Sequence, residues 1–131
     1  MLDQGEFPAI VTGVALVEYV AFVMLAGNAR RRSGIAAPAM SGDEMLERHL
    51  RVQYNTVEQL IVFLPALWLY AWFQGALTAA VIGVFFIIGR AWYAIGYLRD
   101  PASRGPGFLL GFLATIVLLA GGLAGAARRL F

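Results

Sequence analysis

The chain has 131 residues, of which 60% are hydrophobic, and its mean hydropathy is +0.73. A soluble domain of this size buries only roughly two-thirds of its chain surface, so the composition excludes a water-soluble globule and makes lipid the natural solvent. Cysteine is absent, which excludes disulfides, thiolate metal sites and a cysteine nucleophile. The net charge is +2 and all ten basic residues are arginine. Guanidinium groups suit bidentate recognition of carboxylates and phosphates, although a GC-rich genome produces the same bias.

Four apolar stretches are long enough to cross a hydrocarbon core, which takes about 20 helical residues. The start, Met1 to Glu6, carries two acids and no base. A cleaved secretory signal begins with positive charge, so the first apolar run is expected to stay as a helix. That helix is predicted over about 8–27, with Pro8 in its first turn. Arg30-Arg31-Arg32 follow, and residues 33–40 read as a loop. Ser41 with Glu44 fits a capping box, which opens a second helix over about 43–73 with a kink expected at Pro65. Gln74-Gly75 is a tight connection to a third helix at about 77–98. Asp100-Pro101 and Gly105-Pro106 bracket the next loop, and the last helix is predicted at about 107–127. Gly107 with Gly111, and Gly121 with Gly125, have the GxxxG spacing that seats close helix packing. The fold class is therefore an all-α integral membrane bundle of four transmembrane helices, in one domain over 1–131.

Orientation follows the arginines near the membrane ends. Loops one and three hold Arg30, Arg31, Arg32, Arg99 and Arg104; the other side has Arg128 and Arg129 and an acidic start. The expectation is a multi-pass protein of a bacterial inner membrane with loops one and three cytoplasmic.

Charged residues inside apolar helices cost about 2.5–3.5 kcal/mol each at mid-membrane and need a partner or a purpose. On the second helix Arg51, Asn55 and Glu58 lie at i, i+4 and i+7, which stacks them on one face. On the third, Arg90, Tyr93 and Tyr97 repeat that arrangement. Both stripes converge on the cytoplasmic leaflet, where Arg30 closes the first helix and Arg104 precedes the fourth. Structural roles are open to each residue singly: a Glu47–Arg51 pair, an Arg90–Glu58 bridge, and Tyr93 and Tyr97 as interfacial anchors. Taken together the cluster has more cations than acids, so an anionic ligand would complete it. Arginine forks hold carboxylates, Glu58 receives an ammonium and a further arginine stabilises a thiolate; glutathione has all three groups. His49 lacks partner acids at ligand spacing and reads as interfacial, and no metal site is visible.

The run Glu47-Arg48-His49-Leu50-Arg51-Val52-Gln53-Tyr54-Asn55-Thr56-Val57-Glu58 resembles the E-R-x-x-R-x-x-x-N-x-x-E signature of the MAPEG family, membrane-associated proteins in eicosanoid and glutathione metabolism. Arg90-Ala91-Trp92-Tyr93-Ala94-Ile95-Gly96-Tyr97 is similar to its R-x-x-Y-x-x-G-Y. The likeness covers nearly the whole chain and lies nearest the branch of leukotriene C4 synthase and microsomal glutathione transferase 2. It implies a homotrimer with glutathione, the co-substrate, between neighbouring subunits. Arg51, Asn55, Glu58, Tyr93 and Tyr97 would contact glutathione from one subunit, and Arg30, Gln53 and Arg104 from its neighbour. The thiolate-stabilising arginine falls on Arg104, and Arg31 aligns with a second catalytic arginine. Gln59 stands where leukotriene C4 synthase has a tyrosine, and Trp92 where it has a basic residue.

The activity so implied is glutathione conjugation to lipophilic electrophiles arriving from the bilayer, with lipid-hydroperoxide reduction by the same thiolate. Two rivals stand beside it. One is a non-catalytic lipid-binding scaffold of the same family, for which Gly96-Tyr97-Leu98 and Pro106-Gly107-Phe108 speak. The other is a small four-helix exporter using Glu18, with Tyr19 beside it; otherwise Glu18 is expected to make a buried hydrogen bond to a neighbouring helix.

Overall fold

The computed structural model describes residues 2–131, and it folds as four long helices. They are α1 (Glu6–Ser33), α2 (Glu44–Phe73), α3 (Ala76–Arg99) and α4 (Gly105–Arg128), with a 3-10 turn, Pro101–Arg104, between the last two. Each of the four is long and apolar enough to cross a membrane. The expected bounds hold for α2 and α3 to within a residue.

α1 runs six residues past its expected end at Gly27. The extension, Asn28 to Ser33, contains no helix breaker, and Gly27 is tolerated inside the helix. The stop comes at Gly34, whose left-handed backbone (φ 72°) lets its N–H return to the carbonyl of Arg30. All three loop-one arginines thus belong to the last turn of α1, where cations complement the helix dipole. The expected Ser41 cap is also displaced. Asp43, in extended conformation, caps α2 by accepting from the backbone N–H of Leu46 at 2.9 Å. Helix α2 is continuous through Pro65, which sits on an exposed face.

The bundle is inverted relative to a soluble one. Ile10, Val17, Met24, Ile61, Val81, Ile95, Leu109 and Leu123 point outwards. Small residues such as Ala15, Ala66, Ala71 and Ala79 fill the interior around the stacked rings of Phe63 and Phe86, whose centroids are 3.8 Å apart. Lipid tails give apolar side chains no reason to hide, so close van der Waals packing of small residues drives association instead. Helix α1 packs on α2 and α3, while α2, α3 and α4 pack mutually.

The tightest seam joins α3 to α4. A Cβ added at Gly107 would lie 2.3 Å from the backbone nitrogen of Tyr93, and one at Gly89 would lie 2.6 Å from that of Gly111. Gly121, Gly122 and Gly125 extend the contact of α4 onto Leu69, Tyr70 and Phe73 of α2. Overpacking such a contact costs about 1–3 kcal/mol. Gly107→Ala should therefore lower the melting temperature in detergent, followed by circular dichroism. Gly13→Ala, which meets nothing within 4 Å, should leave it unchanged or raise it slightly; equal behaviour of the two would show that the seam is loose.

Candidate functional site

Helix α3 carries a guanidinium deep inside the bundle. Arg90 is 1% exposed, and its Nη2 donates to Asn55 Oδ1 at 2.7 Å and to Thr56 Oγ1 at 3.0 Å, both on α2. The guanidinium carbon also lies 4.3 Å from the ring centroid of Tyr93, one turn along its own helix, a cation–π contact in desolvated surroundings. The Arg90–Glu58 bridge does not form. Asn55 and Thr56 turn inwards to α3, whereas Glu58 is exposed on the outer side of α2. Thr56 was not singled out from the sequence; its position beside Asn55 in mid-helix was the available signal.

Arginine can only donate, so Arg90 takes the carbonyl oxygen of Asn55 and leaves the amide NH2 free to donate elsewhere. Asn55 lines a cleft of about 290 Å³ together with Arg51, Tyr93, Arg104, Gly105 and Phe108. Tyr93 is fixed in it by stacking on Tyr97, with centroids 5.7 Å apart, and by Phe108 of α4 at 6.3 Å.

Arg104 reaches the cleft because the 3-10 turn folds back onto α3. The Asp100 carboxylate accepts from the N–H of Ala102 at 3.1 Å, and the turn rests on Gly96, where a Cβ would lie 2.8 Å from the carbonyl oxygen of Ser103. A second latch holds α2 against α3. Arg48 Nη1 donates to the terminal carbonyl of Leu98 at 3.0 Å, and the same guanidinium pairs with Glu44. That pair is the one ion pair among the described residues and replaces the expected Glu47–Arg51 pair; Glu47 is exposed.

Thus Arg51, Asn55 and Tyr93 of the expected set meet in one cleft, with Tyr97 supporting it, and Arg104, expected from a neighbouring subunit, lines that cleft within the same chain because the 3-10 turn carries it there. Glu58 lies outside it. Gln53 is two residues from Asn55, about 200° around the helix at 100° per residue, and does not line the cleft. Arg30 and Arg31 line a different hollow of about 300 Å³ with Gly27, Gly34, Ile35 and Ala36. There Arg30 Nη1 donates to the carbonyls of Ile35 and Ala39 at 3.2 and 2.7 Å, tying down loop one. Glu18 does not make the expected hydrogen bond: its Oε1 is buried with no partner among the described residues.

The MAPEG family model matches residues 8–124. The chain belongs to the MAPEG family. An uncharacterised protein of Synechocystis sp. is 44% identical over 89% of this chain and 85% of its own length. Human microsomal glutathione S-transferase 2 is 32% identical over 91% of this chain and 82% of its own length. Mouse leukotriene C4 synthase is 33% identical over 79% of this chain and 69% of its own length.

The MAPEG fold of this chain thus presents two cationic side chains, an amide donor and a phenol in a cleft that no acid lines. Its geometry depends on Arg90. Thr56→Val keeps the shape of residue 56 and deletes one acceptor for that guanidinium, at a cost of about 1 kcal/mol. The expected result is a melting temperature lowered by a few degrees with the helical circular dichroism unchanged.

Proposed function

We propose that this MAPEG protein is a membrane glutathione transferase, joining glutathione through sulfur to lipophilic electrophiles. The observation that carries the reading is the cleft itself: Arg51, Arg104 and the amide of Asn55 all offer donors, and no acid lines it. Such a lining suits an anion with carboxylates and an ionisable thiol. Two of the relatives are named for glutathione transfer and for leukotriene C4 synthesis.

Arg51 holds a carboxylate of the tripeptide by its planar fork, and Asn55 donates to the same ligand. Tyr93 forms the wall with Tyr97 stacked behind it, and Glu58, outside the cleft of a single chain, receives the ammonium where the tripeptide reaches beyond the cleft towards the neighbouring subunit. Arg104 faces the sulfur. A free thiol of pKa about 8.5 is mostly protonated at neutral pH, and the thiolate is the nucleophile. Lowering that value by two units takes about 2.7 kcal/mol of preferential anion stabilisation, within reach of one guanidinium in a partly dry site. The thiolate attacks an electrophilic carbon, the S–C bond forms, the leaving group departs with its electron pair and the thiol proton passes to solvent. The same thiolate attacks the terminal oxygen of a lipid hydroperoxide, breaking the O–O bond and releasing the alcohol after proton uptake, and a second glutathione thiol displaces water from the resulting sulfenic acid to close the disulfide.

In this reading the protein is a homotrimer. Arg51 and Glu58 are exposed on a helix long and apolar enough to cross a membrane, a costly placement in lipid that a neighbouring subunit relieves. Neighbours bring Arg30 and Gln53 to the glutathione, and Arg31 acts as the second catalytic arginine. Loops one and three face the cytoplasm of a bacterial inner membrane, and the electrophile enters sideways from the bilayer.

Calorimetric titration with millimolar reduced glutathione in detergent should give heat, and Arg51→Ala should reduce the affinity by about tenfold, or 1.4 kcal/mol. No heat with the unaltered protein ends the reading, whereas heat without turnover on any electrophile leaves a lipid-binding scaffold. Arg104→Ala should retain binding and slow conjugation of an aryl chloride about tenfold at neutral pH. Its rate should rise with pH towards the free thiol's value of about 8.5. Unchanged turnover removes Arg104 from its role.

A further inference from the structure

Arg90 is satisfied at Nη2 by two neutral oxygens, yet neutral acceptors do not cancel its charge. Its Nε is buried with no partner among the described residues. A charge at this depth calls for a counter-charge. Glu44, Glu47, Glu58 and Asp100 are exposed, and Asp43 is occupied as the cap of α2.

Glu18 remains, and its placement on α1 matches. Val11, Ala15, Phe22, Ala26 and Ala29 form the buried stripe of that helix, and Glu18 takes the vacant step between Ala15 and Phe22, three residues after one and four before the other. Ala15 belongs to the core cluster of Phe86, and Phe22 to that of Tyr93. Helices α1 and α3 run in the same direction, so the order Ala15, Glu18, Phe22 follows the order Phe86, Arg90, Tyr93. Glu18 therefore lies level with Arg90, and its buried Oε1 is likewise without a partner.

We infer that Glu18 is the buried counter-charge of Arg90 and, through it, a positioning residue for the ligand cleft. The two side chains are beyond direct contact, since no ion pair joins them among the described residues, and their attraction acts through space across the low-dielectric interior. The carboxylate holds Arg90 in the pose that takes the oxygen of Asn55, and so keeps the Asn55 amide donating into the cleft. This rests on the glutathione reading for its functional half only; the pairing itself does not.

The test is a double-mutant cycle on thermal melting in detergent, with Glu18→Gln, Arg90→Met and the double variant. Glu18→Gln alone should lower the melting temperature, because Arg90 is then an uncompensated buried charge. In the Arg90→Met background the same change should cost nothing or raise it, because it removes an uncompensated carboxylate. Equal shifts in both backgrounds overturn the pairing. Glutathione titration reads the positioning role: Glu18→Gln should weaken binding about fivefold, and Glu18→Asp, which keeps the negative charge, should recover most of it. Unchanged affinity in Glu18→Gln overturns that role. Absence of binding by the unaltered protein would sink the glutathione reading, and the melting cycle would still decide the pairing.

Discussion

A guanidinium held inside a lipid-embedded bundle is the constraint from which the rest of this structure follows. Arg90 has no water to turn to, so its partners must come from neighbouring helices. Asn55 and Thr56 supply two acceptors from adjacent positions of α2, and this fixes the rotation of α2 against α3. The Tyr93 ring under the same group carries the constraint towards α4 by way of Phe108. One buried cation thereby aligns three helices and sets the hydrogen-bonding sense of an amide in the cleft.

The arginines divide by what surrounds them. Arg30 and Arg48 close on backbone carbonyls at helix and loop ends, where unpaired acceptors await a donor. Arg90 is enclosed, while Arg51 and Arg104 look into the cleft. A fork with five donors serves carbonyl clusters, ring faces and anions alike. The all-arginine composition therefore fits structural latches as well as ligand recognition, and only position separates them.

Much of the fold was legible because each apolar run carried its own length and the breaks between runs were polar or glycine-rich. Helix ends were harder to place. Gly27 looked like a terminus, yet the stop is at Gly34, the position where the backbone turns left-handed, because nothing in the polar stretch between them breaks a helix. The two polar stripes were also legible from spacing alone. Partner choice was not: Arg51, Asn55 and Glu58 share a face, but a face is broad enough for Asn55 to turn inwards and Glu58 outwards. The role of Gly96 as a seat for the 3-10 turn was hidden as well, since a close approach between segments leaves no mark on either one.

The glycine seam has a mechanical meaning. Backbone meets backbone at Gly89, Gly107 and Gly111, so at these levels α3 and α4 have no side chains to re-pack and behave as one stiff plate. Tyr93 and Phe108 are mounted on that plate, and the short turn bearing Arg104 is braced against it. Compliance in the cleft must then come from the opposite wall, on the α2 side, where Arg51 projects on a long and exposed side chain. Guests of different girth would be accommodated by yielding of that wall while the α3–α4 frame keeps its shape.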